Sequence, residues 1–417
     1  MTVAPPRLVS WNMTRRCNLR CGHCYLDART RSTPEGEMTT AEGRDLIDQL
    51  AELCPGAMLV LSGGEPLLRA DLPELVSHAA GRGLLPVLGT NGALLTDDRA
   101  ARLVQSGLSG VGLSLDSLDQ DRHDEFRGAP GSWRRAVAAI DTCRGRGLPV
   151  QIHTTATRAN HDEIPALMRF AAHRGAVAFN LFFLVCTGRG EDVTDITPHQ
   201  YETALMALVD AQGAYEGRML VRARCAPHFR RLLSTHDAAT PTDAAAGCLA
   251  GRTYCRVTPE GVVTPCPYLP IEAGDLRRDT LAEIWANAQV FQRLRRPQLR
   301  GRCGCCEFGE ACGGCRARAF ASHGDLMGED PWCSYHPGSE PGRLVATAPE
   351  VEWTAEARAR LDRVPVALRA MVESGLLAHA RSKGISTITP DVMAGMRSSG
   401  VAPGFATGED VVDSGSR

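Results

Sequence analysis

The residues with the most distinctive chemistry are three cysteines near the start of the chain, in the segment Cys17-Asn-Leu-Arg-Cys21-Gly-His-Cys24. Three thiolates this close together on one short loop can bind a single metal centre. A structural zinc ion and an electron-transfer [4Fe-4S] cluster each take four protein ligands. A set of three therefore leaves one metal position open to another molecule. Part of a zinc site or a loop of buried thiols is the alternative, because short patterns also arise by chance.

A second group of cysteines lies in the second half of the chain and divides into two sets of four. Its members are Cys248, Cys255, Cys266, Cys303, Cys306, Cys312, Cys315 and Cys333. Cys-x-x-Cys pairs are also typical of zinc sites, which are the alternative. Cys305 could compete with Cys306, but only Cys306 has both the two-residue and the five-residue spacing. Four other cysteines stand singly and are predicted to be buried small hydrophobic residues: Cys54, Cys143, Cys186 and Cys225.

The composition is that of an ordinary soluble globular protein, with 43% hydrophobic and 23% charged residues. A length of 417 residues predicts two or three domains. A net charge of −2 excludes the broad basic surface that non-specific nucleic-acid binding needs. No apolar run has the length of a signal peptide or a membrane span. We therefore expect a cytoplasmic protein without nucleic-acid or membrane partners. Its sixteen cysteines are not expected to form disulfides, and the clustering of eleven of them indicates metal binding.

Strands and helices alternate through the first half of the sequence. Apolar patterns predict strands at 7–12, 58–62, 86–90, 111–115, 149–156 and 177–185, and helices capped by Thr39 and Asp97 or near 71, 132–144, 162–174 and 198–212. Six such units favour parallel strands in an α/β fold, a partial (β/α)6 barrel of the TIM type. Active residues of such folds lie at the carboxyl ends of the strands. The cysteine loop, Gly63-Gly64-Glu65-Pro66 and Thr90-Asn91-Gly92 all fall there.

The Cys17–Cys24 segment resembles the radical S-adenosylmethionine (SAM) superfamily. The resemblance implies that Cys17, Cys21 and Cys24 hold a [4Fe-4S] cluster whose fourth iron binds the amino and carboxylate groups of SAM. One electron would then cleave SAM to a 5′-deoxyadenosyl radical. The turn formed by Gly63, Gly64, Glu65 and Pro66 matches the superfamily's second motif, which binds the SAM amino group. Two glycines allow close approach of the backbone, and a carboxylate can accept a hydrogen bond from an ammonium.

The same resemblance implies further contacts with SAM. Ser114 and Asp116, which a two-residue period places on one side of the fourth strand, would bind the ribose or the carboxylate, and His23 would lie near the adenine. A strand-end cap and a packing residue, respectively, are the alternatives. The segment 123–128 is predicted to be a polar loop, either a lid or a solvated turn. The segment 187–190 could offer backbone donors to an adenine or a substrate carboxylate.

The eight later cysteines resemble the SPASM extension of radical SAM enzymes, although Cys312-x-x-Cys315 stands where many members have three intervening residues. The resemblance implies two auxiliary [4Fe-4S] clusters. Cys248, Cys255, Cys266 and Cys315 would hold one, and Cys303, Cys306, Cys312 and Cys333 would hold the other. Such interleaved sets couple metal binding to folding. Pro-Glu-Gly at 259–261 is predicted to form a hairpin turn.

Sequence features around the last cysteines narrow the expected substrate. The segments 265–269 and 312–333 resemble radical SAM enzymes of haem biosynthesis, which decarboxylate or trim the side chains of tetrapyrroles. A tetrapyrrole is therefore the implied substrate, and a flavodoxin- or ferredoxin-type protein the electron donor. Its carboxylates could be bound by Arg127, Arg189, Arg316 and Arg318. Peptide-modifying SPASM enzymes share the cysteine pattern, so a ribosomal peptide to be cross-linked or oxidised is the alternative, and a non-catalytic electron carrier is a third.

The sequence divides into four segments. Residues 1–230 are predicted to form the barrel, 231–340 the SPASM domain, 351–399 a small helical domain and 400–417 a disordered tail, with a linker at about 337–350. Thr354, Pro365 and Pro390 are predicted to start three short helices. The third segment, from Trp353 onward, resembles the small C-terminal domain of the light-independent protochlorophyllide reductase B subunit. A generic three-helix appendage is the alternative.

Overall fold

The computed structural model describes residues 3–28, 35–185, 187–189, 196–236, 247–338 and 351–364, and 372–398 apart from 374, 375, 378, 381, 382 and 384. Several predicted features lie outside these residues: Cys186, Gly190, most of the linker at 337–350, Pro365, Gly384 and the tail at 400–417. Within the described part of the chain, no helix is long and apolar enough to cross a membrane.

Strands and helices alternate as predicted through the first 235 residues. The strands are β1 (Leu8–Asn12), β2 (Met58–Ser62), β3 (Leu85–Thr90), β4 (Gly110–Ser114), β5 (Val150–Ala156), β6 (Ala178–Phe183) and β7 (Leu220–Arg224). The helices are α1 (Thr40–Leu53), α2 (Leu72–Gly81), α3 (Asp97–Gln105), α4 (Gln120–Arg127), α5 (Ser132–Gly145), α6 (Ile164–His173), α7 (Pro198–Ala214) and α8 (Phe229–Thr235).

The cysteine-rich segment adds strands to the same sheet. These are β8 (Tyr254–Val257), β9 (Val262–Thr264) and β10 (Gly274–Asp275). The strand order is β10-β9-β8-β1-β2-β3-β4-β5-β6-β7, and β8 through β7 are mutually parallel. The predicted α/β partial barrel is confirmed. Because β8 pairs with β1, the sheet continues across the expected boundary at residue 230.

The two faces of the sheet differ sharply in chemistry. One face buries apolar side chains, such as Trp11, Leu61 and Leu88 in one row of the register, under the helices. Alternate residues lie on the other face, which we call the inner face. Its polar and glycine members include Ser10, Asn12, Ser62, Gly89, Gly112, Ser114, Gln151, His153, Thr155, Asn180, Arg222, Arg224, Tyr254 and Arg256, and its apolar members are Leu8, Met58, Val60, Leu85, Val87, Ala178, Phe182 and Leu220. The inner face therefore combines polar and small residues with several apolar ones.

Three local predictions were wrong. Segment 123–128 belongs to helix α4, which Asp119 caps at its start and Gly128 ends in the left-handed conformation. The stretch after 212, in which the sequence patterns predict no strand or helix before the cysteine-rich segment, contains β7 and α8. Helix α3 is capped by Thr96, one residue before Asp97. Helix α4 carries no apolar stripe, and β7 and α8 are only five and seven residues long. Hydrophobic periodicity is a weak signal in segments this polar or this short.

The predicted hairpin is present between β8 and β9. The two strands pair antiparallel, Arg256 with Thr264 and Val257 with Val263. Gly261 turns the chain with a φ of +91°. Three helices follow, namely α9 (Leu281–Asn287), α10 (Gln289–Arg295) and α11 (Arg316–His323).

The last segment has its own small core. Its elements are β11 (Glu352–Trp353), α12 (Ala355–Asp362), β12 (Thr387–Ile388) and α13 (Pro390–Ser398). Helices begin after Thr354 and at Pro390, as predicted. The parallel pair of β11 with β12 was not expected. Ala357, Leu376 and Ile388 are buried together in a cluster separate from the main core.

Replacing Gly43 with alanine should lower the apparent melting temperature. A Cβ atom at residue 43 would lie 2.4 Å from the buried ring of Trp11, and overpacking of this kind costs about 1–3 kcal/mol, more than the helix-propensity gain of up to about 1 kcal/mol. Gly81→Ala is the control, since nothing lies within 4 Å of its added Cβ. Circular dichroism melts of both variants test the packing. An equal or higher melting temperature for Gly43→Ala would contradict it.

Candidate metal and cofactor site

The three N-terminal cysteines lie on the loop that follows β1, at the carboxyl edge of the sheet, as predicted. Cys17 is buried, with Cys21 and Cys24 packed against the same small cluster. The Cys17 sulfur accepts a hydrogen bond from the Leu19 N–H at 3.4 Å. Burial raises the pKa of the Cys17 thiol to about 12, so this sulfur needs a bound cation to become a thiolate near neutral pH.

Gly63 and Gly64 allow the turn after β2 to lie directly on the cysteine loop. The Gly64 N–H donates to the Thr14 carbonyl at 2.7 Å. A Cβ atom at residue 64 would lie 2.1 Å from the carbonyl oxygen of Arg16, and Gly63 has a φ of +133°, so side chains are excluded at both positions. The carbonyl oxygens of Gly63 and Gly64 accept no hydrogen bond from the described residues. These two oxygens are open to a ligand.

The carboxylate of Glu65 is internal rather than open to a ligand. It accepts hydrogen bonds from the Thr90 hydroxyl at 2.7 Å, the Asn91 N–H at 3.0 Å and the Leu67 N–H at 3.1 Å. Burial raises its pKa to about 6, although these hydrogen bonds oppose the rise. Donors of the protein therefore occupy the group that was expected to accept from the SAM ammonium. Pro66 starts a short 3₁₀ turn after it.

Asp116 is internal as well, in contrast to the expected contact with SAM. Its carboxylate pairs with the Arg127 guanidinium at 2.5 and 2.6 Å and accepts from the Thr155 N–H at 3.0 Å. Burial acts to raise the pKa of Asp116, but Arg127 outweighs it and holds the pKa below its ordinary value. Arg127 also donates to the Cys21 sulfur at 3.7 Å. Asp116 thus orients Arg127 toward the cysteine loop, while Ser114 is half-buried on the inner face.

Helix α4 supports this arrangement and is not a lid. His123 accepts at Nδ1 from the Asp116 N–H at 3.2 Å, so its imidazole is neutral. Burial lowers its pKa to about 4. Asp124 accepts from the Ser132 hydroxyl at 2.8 Å and joins α4 to α5. The helix therefore fixes Arg127 beside the cysteine loop.

His23 stacks on Phe126, with the ring centroids 4.5 Å apart and the planes 6° from parallel. Burial, followed by the nearby cation of Arg127, lowers its pKa to about 3, and the ring is therefore neutral. Its Nδ1 is buried without a hydrogen-bond partner among the described residues. An unpaired buried polar atom is costly, so this atom favours a ligand contact over packing alone.

The segment 187–189 packs on the cysteine loop. Arg189 donates to the carbonyl of Cys21 at 3.0 Å and to the Asp27 carboxylate at 2.6 Å. A Cβ atom at Gly188 would lie 2.8 Å from the Cys24 carbonyl oxygen. Arg189 is thus committed to the loop and is not available for a substrate carboxylate.

The second auxiliary set is brought together as expected. Cys303, Cys306, Cys312 and Cys333 line one cavity, together with residues such as His228 and Tyr335. Arg316 Nη2 lies 3.9 Å from the Cys303 sulfur and donates through Nη1 to the Gly328 carbonyl at 2.7 Å. Cys305 is exposed. The spacing argument that chose Cys306 over Cys305 is therefore supported by position.

The first auxiliary set contains an unexpected member, Cys225. Burial raises the pKa of the Cys266 thiol well above its ordinary value, and the neighbouring Cys248, Cys225 and Cys315 raise it further. Cys225 follows β7 directly and has a φ of +58°, which is rare for a residue with a side chain. Its carbonyl accepts from Arg318 Nη2 at 3.2 Å, on the helix that begins after Cys315. Four cysteines therefore surround this position.

Cys255, the expected member, lies elsewhere. It is fully buried in β8, opposite Val9 on the face that the helices cover. Its neighbours Tyr254 and Arg256 point to the inner face, because side chains of a strand alternate. Burial raises the pKa of Cys255 to about 12, and the nearby cation of Arg295 opposes the rise. Cys255 is thus a core residue. Cys225 could have been found from the sequence only by recognising that it directly follows a strand, β7, which the apolar patterns did not predict.

An ion pair lies between the two auxiliary sets. Arg318 donates to Asp330 at 2.8 and 3.0 Å, and Asp330 accepts from the Cys315 N–H at 2.7 Å. The Arg318 guanidinium stacks 4.2 Å from the Trp332 ring centroid. Arg318 and Arg316 are therefore structural parts of the cysteine sites. The expectation that they bind a substrate carboxylate is wrong.

The cysteines of all three groups are available to bind metal. All fifteen described cysteines are free thiols. In the part of the chain that the structure describes, no three Cys, His, Asp or Glu side chains converge closely enough to hold one metal ion. Cysteine thiolates are the ligands by which proteins hold iron–sulfur clusters.

Family models match three parts of the chain. They are the radical SAM superfamily over residues 11–171, an iron–sulfur cluster-binding domain (SPASM) over 248–307, and the proto-chlorophyllide reductase 57 kD subunit over 353–397. The first match covers strands of the barrel and the loop that carries Cys17. The second match covers part of the cysteine-rich segment. The third coincides with the separate C-terminal core.

The chain is also similar to curated proteins and to solved structures. It is 41% identical to the AdoMet-dependent heme synthase of Methanosarcina barkeri, over 80% of this chain and 98% of that protein. It is 33% identical to a mycofactocin maturase of Mycobacterium ulcerans, over 80% and 92%. The fold matches Streptococcus suis SuiB bound to S-adenosylmethionine with a TM-score of 0.66 and 17% identity, over 80% and 78%. With its three-cysteine loop at the carboxyl edge of a parallel sheet, the chain belongs to the radical SAM superfamily of enzymes, and it carries a SPASM iron–sulfur domain.

Proposed function

We propose that this enzyme decarboxylates or trims a carboxylate side chain of a tetrapyrrole in the synthesis of a haem-type cofactor. The observation that carries the proposal is the 41% identity to a heme synthase over 98% of that protein's length. A likeness of this extent includes both the barrel and the cysteine-rich segment. The identity to the maturase is lower, at 33%.

The SAM site is proposed from the open groups at the carboxyl edge. Cys17, Cys21 and Cys24 would hold the [4Fe-4S] cluster, and the carbonyl oxygens of Gly63 and Gly64 would accept from the SAM amino group. Ser114 and the unpaired Nδ1 of His23 would contact the rest of the nucleoside. When bound, the cluster and SAM would supply a radical that abstracts hydrogen, with the electron coming from a flavodoxin- or ferredoxin-type donor.

Two auxiliary clusters are proposed, with one changed ligand. Cys225, Cys248, Cys266 and Cys315 would hold the first, with Cys225 in the place expected for Cys255. Cys303, Cys306, Cys312 and Cys333 would hold the second. Such clusters supply sites that accept or pass single electrons.

The inner face suits a broad, flat and anionic molecule. Its central strands have the small residues Ser62, Gly89 and Ser114 at or next to their carboxyl ends, below which Val60 and Val87 offer apolar surface. Arginines lie on both sides of these strands, at Arg222 and Arg224 on β7 and at Arg256 on β8. A tetrapyrrole is a wide ring with carboxylates at its periphery, and it needs an open floor with cations at the rim.

Peptide modification is the second candidate function. It is favoured by the similarity to the mycofactocin maturase and by the fold of SuiB, one structure of which is bound to its precursor peptide SuiA. Both functions would use the same cysteines and the same SAM contacts. Only a test with substrate separates them.

The cluster assignment predicts the iron content of variants. Anaerobically reconstituted protein should hold about twelve irons, from three four-iron clusters. Cys225→Ala should lose about one to four irons, because a cluster with three protein ligands is labile, whereas Cys255→Ala should lose none. Iron analysis with electron paramagnetic resonance measures this, and Cys54→Ala, another buried single thiol, is the control. Iron loss from Cys255→Ala but not from Cys225→Ala would contradict the assignment of Cys225, in place of Cys255, as a cluster ligand.

The substrate proposal predicts a change in mass. Iron coproporphyrin III incubated with the enzyme, SAM and a reductant should lose at least the mass of carbon dioxide for each shortened side chain. Cys17→Ala should abolish both SAM cleavage and product, and Cys303→Ala should retain SAM cleavage without product. Mass spectrometry and chromatography of 5′-deoxyadenosine provide the readouts. An unchanged porphyrin, with modification of a co-encoded peptide instead, would establish the second candidate.

Removal of residues 346–417 should weaken porphyrin binding without abolishing SAM cleavage. The C-terminal segment has a separate core, so its loss leaves the main sheet intact. Its match to a protochlorophyllide reductase subunit supports a role in holding a tetrapyrrole. Titration of the Soret band gives the dissociation constant for both forms. Equal affinities would show that this segment has no part in substrate binding.

A further inference from the structure

Arg256 is a buried arginine on the inner face of the barrel. It lies in β8 opposite Ser10 of β1, at the seam where the cysteine-rich segment joins the sheet. Only 7% of its surface is exposed. A guanidinium is always charged near neutral pH, so the fold buries a cation at this position.

The protein provides Arg256 with neutral partners only. Its Nε donates to the Asn12 side-chain oxygen at 2.5 Å, and its guanidinium lies 5.6 Å from the Tyr25 ring centroid. Its two terminal nitrogens make no hydrogen bond with the described residues, and neither is fully enclosed. They therefore face accessible space rather than a protein acceptor.

The other buried arginines are compensated within the protein. Arg127 pairs with Asp116, Arg231 with Glu202 and Arg318 with Asp330. Arg316 donates to backbone carbonyl oxygens, including that of Leu326. Each of these four guanidinium groups has a carboxylate or several carbonyl oxygens as acceptors among the described residues, whereas Arg256 has one neutral amide oxygen.

We propose that Arg256 is the anchor for a carboxylate of the substrate, an inference that rests on the proposed tetrapyrrole function. A buried cation is costly unless it is paired and hydrogen-bonded. The two free terminal nitrogens match the two oxygens of a carboxylate in a bidentate pair. Asn12 fixes the guanidinium from behind, and Asn12 also donates to the Tyr25 hydroxyl at 3.0 Å. Tyr25 directly follows Cys24, so the anchor is tied to the loop where hydrogen abstraction would begin.

A pair of matched ligands tests the anchor in the reconstituted full-length enzyme. Iron coproporphyrin III carries four propionates, and its tetramethyl ester has the same ring without their charge. Arg256→Gln should raise the dissociation constant of the acid about 10- to 100-fold and leave that of the ester within about twofold. For Arg256→Lys the dissociation constant of the acid should lie between those of the wild type and Arg256→Gln, since lysine keeps the charge but loses the planar fork of nitrogens. Arg278→Gln, at an exposed arginine of the same segment, should bind both the acid and the ester with wild-type affinity.

A second variant keeps the test valid if Arg256→Gln folds poorly. Asn12→Asp places a carboxylate beside Arg256, and this internal partner should weaken binding of the acid without lowering the melting temperature. Equal loss of acid and ester binding, or no loss of either, would overturn the anchor. Weakened SAM binding with unchanged porphyrin binding would assign Arg256 to SAM and also overturn it. If the wild type binds neither porphyrin, the proposed function itself fails.

Discussion

The buried carboxylate of Glu65 holds together the edge of the sheet at which the chemistry takes place. It joins the turn after β2 to the turn after β3 through the Thr90 hydroxyl and the Asn91 N–H. Asn91 in turn donates to the Asn18 side chain at 2.9 Å and lies 3.9 Å from the Cys17 sulfur. A carboxylate without exposure is costly unless donors surround it. The network therefore forms only when the strand ends are in register, and the register in turn fixes Cys17.

The sequence was most informative where spacing alone decides the outcome. The strand–helix rhythm predicted the parallel sheet, and the spacing of Cys17, Cys21 and Cys24 predicted a metal loop at its edge. Spacing does not reveal which face of a strand a side chain occupies. The resemblance to the SPASM pattern therefore assigned Cys255 to a cluster, while Cys225, which stands singly in the sequence, was predicted to be a buried hydrophobic residue. The sequence likewise does not show that the carboxylates of Glu65 and Asp116 are buried. Both were therefore expected to contact SAM, although in the structure both are hydrogen-bonded to protein groups.

Each cysteine group has a buried arginine beside it. Arg127 donates to the Cys21 sulfur, Arg316 lies 3.9 Å from that of Cys303, and Arg318 bonds to the Cys225 carbonyl. Thiolate-bound clusters are anionic, and N–H groups and charges near their sulfurs set their reduction potentials. Asp116 and Asp330 hold two of these arginines in place. In a buried pair, loss of one partner leaves the other charge uncompensated, so these aspartates fix the arginines beside the cysteines without being candidate ligands.

The charges at the carboxyl edge of the sheet are arranged differently from those on the inner face, which is the proposed substrate face. A radical that abstracts hydrogen has little selectivity of its own, so the choice of bond must come from how the substrate is held. At the cysteine sites the protein closes its ion pairs internally, as Arg127 does with Asp116. On the inner face it leaves Arg256 with only Asn12 and the Tyr25 ring as neighbours. The other buried guanidinium groups of the described residues have a carboxylate or several carbonyl oxygens as acceptors. The open terminal nitrogens of Arg256 are therefore the part of the inner face that favours a substrate with carboxylates over a neutral one.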